Sequence, residues 1–197
     1  DAAAAVSPAS EALTAAIAAA QGVLETATTP EEVLAAVAPL QAATALAVNT
    51  NAVAGATVAA PVVTNFVVNG TFDANGVVAP WKTTTGAQNQ TTATNQTGAF
   101  TGNFFENWNP SNYTGKIYQV IENVPNGIYD LNICAFVNTF NGDVQFVYAN
   151  ADKVNLTTGE PTAYVVRTIV ENNTIEVGFE QTEAVANWMG IDNVSLT

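Results

Sequence analysis

From residue 64 to residue 197, apolar side chains recur at every second position between short turn signals. Tyr129, Leu131, Ile133, Ala135 and Val137 fall on one face, as do Val144, Phe146 and Tyr148, and then Ile175, Val177 and Phe179. A period of two sends successive side chains to opposite sides of a strand, and a helix cannot present it as one buried stripe. Pro125-Asn126-Gly127, Asn141-Gly142 and Thr158-Gly159 supply the turns. At Pro125-Gly127 a fixed φ followed by a glycine able to take positive φ predicts a tight reversal. Many short strands at such spacing make an antiparallel β-sandwich or barrel.

The first 48 residues follow another period. Ser7-Pro8 predicts a helix start with proline at the first helical position, and Leu13, Ile17, Val23 and Leu24 give that helix its larger apolar residues. Thr29-Pro30-Glu31-Glu32 has the form of a capping box opening a second helix, which Pro39 interrupts. Two alanine-rich helices bury little area, so a hairpin over 8–47 is weak alone. Residues 49–63 are apolar and uncharged, unlike a solvated linker. They either lie in a surface groove or pair as a strand. The domains are therefore 1–48, a connecting segment 49–63, and a sandwich over 64–197.

Seventeen acidic residues against four basic ones give a net charge of −13. That sign opposes nucleic acid and anionic membranes and favours cations, calcium above all. No unbroken apolar run reaches the roughly 18 residues of a membrane span. The start, Asp1-Ala-Ala-Ala-Ala5, has no basic leader and reads as a mature end. Low charge content with abundant Asn and Thr suits a secreted or cell-surface β-protein. The chain contains no histidine, which removes imidazole metal sites and His-activated nucleophiles. Its one cysteine, Cys134, sits in a predicted strand as a buried, inert thiol. With no phosphate-binding loop, nucleophile elbow or Cys-x-x-Cys, the expectation is a protein that is not an enzyme.

Four stretches of 64–197, in order, resemble the galactose-binding-like jelly roll of bacterial carbohydrate-binding modules and surface proteins. They are Asn69-Gly-Thr-Phe-Asp73 with Trp81, Glu106-Asn-Trp-Asn109 leading into Ile117-Tyr-Gln-Val-Ile121, Val124-Pro-Asn-Gly-Ile-Tyr-Asp-Leu131, and Asn187-Trp-Met-Gly-Ile-Asp-Asn-Val-Ser-Leu196. The stretch AAIAAAQGVLETATTPEEVLAAVAPLQAA resembles the FIVAR-like helical hairpins of bacterial surface proteins. The first resemblance implies an antiparallel jelly-roll β-sandwich with glycan or polysaccharide as partner. It also implies a structural calcium ion near Asn69, Thr71, Asp73 and Asp192.

Trp81 and Trp188 lie among apolar strand residues and are expected in the core. Trp108 sits in Asn103-Phe-Phe-Glu-Asn-Trp-Asn-Pro110, which reads as a loop of aromatics and amides. Aromatic faces stack on sugar rings while amides take hydroxyls, so Trp108, Asn107, Asn109, Phe104 and Tyr113 are candidate glycan contacts. The alternative is a loop plugging the sandwich. A second functional reading is a self-assembling subunit of an extracellular filament or surface layer, using residues 1–63 to complete a neighbour's sheet.

Overall fold

The computed structural model describes residues 7–84 and 89–197, so the chain start at Asp1 lies outside the described residues. Two helices precede ten strands: α1 Pro8–Thr26, α2 Pro30–Ala52, β1 Lys82–Thr83, β2 Asn89–Ala93, β3 Phe104–Trp108, β4 Gly115–Glu122, β5 Gly127–Val137, β6 Gln145–Ala149, β7 Asp152–Asn155, β8 Thr162–Val170, β9 Thr174–Gln181 and β10 Trp188–Leu196. Ser7 caps α1, accepting from the Ser10 amide at 3.2 Å. Thr29 and Glu32 form the expected capping box on α2.

The helix α2 continues through Pro39 to Ala52, past the expected boundary at residue 48. By length and composition it is long and apolar enough to cross a membrane, although Thr, Gln and Asn break any continuous apolar run. None of the apolar stretch is buried. The helices pack on each other and leave Leu24 70% and Leu34 68% exposed. Residues 53–63 make no strand. Thr57 and Ala60 close a small turn on themselves. The segment nevertheless touches its own sandwich: Asn49 Nδ2 donates to the Asn123 carbonyl at 2.8 Å, Val53 packs on the core, and the Thr64 amide donates to the Leu196 carbonyl at 2.9 Å.

Two five-stranded antiparallel sheets face each other, ordered β1-β4-β9-β6-β7 (sheet one) and β2-β3-β10-β5-β8 (sheet two). Their inner faces interdigitate through Phe105, Ile117, Leu131, Ile133, Val147, Phe179 and Ile191. Each such side chain contributes roughly 1.5–3 kcal/mol by leaving water. Trp81 joins this core from the strandless stretch 64–81, while Trp188 packs on Phe136 outside it. Cys134 is buried with its thiol pushed up by desolvation, as expected of an inert cysteine.

Three local expectations change. Residues 104–108 form strand β3 where a loop was expected. The Pro125–Gly127 link joins strands of different sheets, and the left-handed residue is Asn123 (φ 59°), not Gly127. In β6, Phe146 and Tyr148 share a face as expected, but that face is the outer one, and Val147 and Ala149 join the core. All five residues of β6 are buried, so alternation alone could not set its phase.

Candidate functional site

The outer face of sheet one carries a row across all five strands. Lys82 is opposite Tyr118, Tyr118 opposite Gly178, Gly178 opposite Tyr148, and Tyr148 opposite Lys153. Directly opposed residues of antiparallel strands share a face. Gly178 is required there: a β carbon would stand 2.1 Å from the Ile117 carbonyl oxygen. Gly178 and Tyr148 are buried and Tyr118 is half-buried, because the Lys116 side chain lies across the gap the glycine leaves. The Lys116 ammonium sits 4.5 Å from the Tyr118 ring centre and 5.6 Å from that of Tyr148, and it pairs with Glu176. Tyr148 donates to the same carboxylate at 2.8 Å. Burial and Glu176 hold the Tyr148 phenol far above its usual range, so it remains a donor. Lys153 lies 4.3 Å from the Phe146 ring centre.

The outer face of sheet two is divided. At one end Phe104, Phe100, Phe136 and Cys134 form a small second core. Phe100 comes from the loop before β3 and lies 4.8 Å from Phe104. At the other end Trp108 is exposed, while Trp188 is half-buried against Phe136. Trp108 is directly opposite Trp188, and Glu106 is opposite Gly190. Desolvation pushes the Glu106 carboxyl above the ordinary carboxylate range, while the Trp188 indole N–H facing it pulls the other way. Thr91 pairs with Glu106 on β2. Around the rim, Asn138 Nδ2 donates to Asn187 Oδ1 at 2.8 Å, and Asn187 Nδ2 to the Asn109 carbonyl at 2.9 Å.

Of the five expected glycan contacts, the structure exposes Trp108 (38%) and half-exposes Asn109. Phe104, Asn107 and Tyr113 are buried. Tyr113 donates its hydroxyl to the Asn107 carbonyl at 2.8 Å and serves the interior. A strand explains the split, because alternate residues of β3 point to opposite faces. The Tyr118–Gly178–Tyr148 row escaped sequence reasoning. Alternation could have put Tyr118 opposite in phase to Ile117 and Ile121, but nothing local joins residues 118, 178 and 148.

Where the loop covers sheet two lies a third polar cluster. Asp192 is buried; its Oδ2 accepts from the Thr101 amide at 2.8 Å, and its Oδ1 has no hydrogen-bond partner among the described residues. Burial pushes its carboxyl up to about 6, with the Asp73 charge adding to the shift and the Thr101 and Asn193 amides opposing it. Thr71 donates to Asp73 Oδ2 at 2.7 Å, and Asn103 Nδ2 to the Asp73 carbonyl at 3.0 Å. Asn69 is turned to other partners, donating to the Val77 and Ala79 carbonyls. Two carboxylates, one bearing an orphaned buried oxygen, fit a hard cation better than they fit each other. No group of three or more Asp, Glu or Cys with metal-holding proximity occurs among the described residues.

No family model matches the chain, including its FIVAR-like stretch, and no curated protein does. Solved structures do match. TmCBM61 in complex with beta-1,4-galactotriose is similar at 16% identity over 68% of this chain and 98% of its own, with a TM-score of 0.50. The CBM22-1–GH10 modules of a Clostridium thermocellum endo-1,4-beta-D-xylanase, complexed with xylohexaose, match at 16% identity and a TM-score of 0.50. That match covers 66% of this chain and 28% of theirs. The sandwich has the jelly-roll fold of carbohydrate-binding modules. At these identities the likeness speaks for fold, and function is argued from the site.

Proposed function

We propose that the chain is a non-catalytic, extracellular glycan-binding module whose ligand lies across the outer face of sheet one. The observation that carries this reading is the Lys82–Tyr118–Gly178–Tyr148–Lys153 row. Tyr118, half-buried beside the Lys116 side chain, offers the aromatic surface on which the apolar C–H side of a pyranose packs, and buried Tyr148 braces the row from beneath. Lys116 and Glu176, both partly exposed, then present a donor and an acceptor to its hydroxyls. Glu176 and Glu180 stand four residues apart on β9. At a strand rise of about 3.4 Å per residue they are roughly 13 Å apart. That exceeds the separations of about 5–9.5 Å that glycoside hydrolysis uses, which favours binding without cleavage. The two matched structures hold galactotriose and xylohexaose and support this class of ligand.

The Asp73–Asp192 cluster is the proposed place of a structural calcium ion. Asp192 Oδ1, the Asp73 carboxylate and the Thr71 hydroxyl would hold it, with Asn69 further off. A cation there supplies charge neutralisation, tying the chain's opening segment to β10.

The test is a glycan array followed by titration of the best neutral oligosaccharide. Tyr118→Ala should weaken binding about tenfold or more, equivalent to about 1.4 kcal/mol. Unchanged affinity in that variant would remove sheet one from the site. A second reading, assembly through residues 1–63, is favoured by the exposed Leu24 and Leu34 of the hairpin. Light scattering at high concentration, with calcium present, separates the two; a monomer throughout rejects assembly.

A further inference from the structure

The uncovered half of the sheet-two face is not used by that reading, and it lies on the opposite side of the sandwich. We infer that it is a second ligand site, which takes a sugar bearing a cationic amine, such as the glucosamine units of a polymer. It does not rest on the sheet-one proposal.

The geometry is specific. Trp108 and Trp188 are a directly opposed cross-strand pair, so their side chains project from one face as neighbours. Glu106 is two residues from Trp108 on the same strand and therefore on the same face. Opposite it stands Gly190, where a β carbon would meet the Phe104 ring at 2.8 Å. That glycine lets the Phe104 ring lie over it, so the sealed half ends beside the carboxylate. The Asn138, Asn187 and Asn109 contacts fix a polar rim next to the indoles. Indole faces attract an ammonium within about 6 Å of the ring, and a carboxylate adds a charge-assisted hydrogen bond.

Charge selects the ligand. The chain has four Lys and Arg residues against seventeen Asp and Glu. Lys82, Lys116 and Lys153 stand on the strands of sheet one. Arg167 is held by Asp130 at the far end of sheet two. Asp130 precedes Phe136 by six residues on β5, a separation of roughly 20 Å at strand rise. The field over the indole pair is thus negative, and Glu106 is already stripped of part of its water. A cation gains most from such a carboxylate, whereas an acidic sugar is repelled.

The experiment is calorimetric titration of the full chain with three tetramers: glucosamine, N-acetylglucosamine and cellotetraose. Salt is set at about 0.15 M so that diffuse attraction is screened. The glucosamine tetramer should bind, and acetylation, which removes the cation, should weaken it tenfold or more. Trp108→Ala and Glu106→Gln should each cost a similar factor with circular dichroism unchanged, and Ile169→Ala, at an exposed position of β8 outside both sites, should cost nothing. Three results overturn the inference: no binding of the glucosamine tetramer, equal binding of all three tetramers, or affinity retained in either sheet-two variant. The last would mean a polycation attracted anywhere on an acidic chain. Failure of the sheet-one reading would show only in the neutral-glycan response of Tyr118→Ala and leaves this readout intact.

Discussion

The two outer faces are built from strands of the same kind and finish as different surfaces. Sheet one keeps an unbroken row from edge to edge, with a glycine at its centre and the Lys116–Glu176 pair lying over the tyrosines. Sheet two is split: its own loop, led by Phe100, seals one half, Trp188 packs against the edge of that seal, and Trp108 stands exposed beyond it. Outward-pointing aromatics therefore have no fixed meaning. Phe104 and Trp108 occupy the same face of one strand, yet one is core and the other surface. What decides is the covering loop, which brings its own apolar side chain and satisfies its backbone on Asp192 and Asn193.

The largest expected effect tests the split itself. Phe104→Ala should destabilise the chain by about 3–5 kcal/mol, as removal of a fully packed aromatic does. Trp108→Ala, on the same face, should cost less than about 1 kcal/mol. Urea denaturation measures both, and equal losses would show that the face is not divided. Next come the two glycines. Gly178→Ala forces a β carbon onto a backbone carbonyl, while Gly190→Ala meets the Phe104 ring and the Phe105 carbonyl at 2.9 Å. Both should destabilise by about 1–3 kcal/mol or more, with Gly178→Ala the worse, because backbone yields less than a ring. The reverse order would make sheet two the stiffer face.

A smaller effect concerns the cation proposed under the sheet-two loop. Millimolar calcium should raise the melting temperature by a few degrees, since a ligand at 100 times its Kd stabilises by about 2.7 kcal/mol. Asp192→Asn should abolish that rise and, in chelator, melt no lower than the parent. A parent whose melting ignores calcium would sink the assignment.

The smallest effect is a pH slope. The Glu106 carboxyl is raised in the folded chain, so the fold favours its protonated form. Stability should therefore fall as pH rises from the ordinary carboxylate range through the raised value. Glu106→Gln should flatten that part of the profile, and an unchanged profile would place Glu106 in full solvent.

Much of the frame was legible along the chain. The capping box at Thr29 and Glu32, the helix start at Ser7 and the strand read over 129–137, which the structure begins at Gly127, depend on neighbours within a few residues. The candidate site was legible only in part. Trp108 drew attention as an aromatic among amides, and it is the member of the expected set that the structure exposes most. Phe104, Asn107 and Tyr113 resemble it in composition but are buried, because a strand divides consecutive residues between two environments.

By itself, the sequence determined that antiparallel strands, as a sandwich or a barrel, make up the later part of the chain and that two capped helices come before them. Period, turn chemistry and capping are short-range, and each is written in adjacent residues. The tertiary structure alone decided that residues 118, 178 and 148 make one row, and that Asp192 is buried within reach of the Asp73 charge. It alone decided which half of sheet two its own loop would seal. Those outcomes depend on strand order and on which surfaces are left uncovered. Both follow from long-range packing in which β4 pairs with β9 and β3 with β10, and no local pattern encodes such pairings.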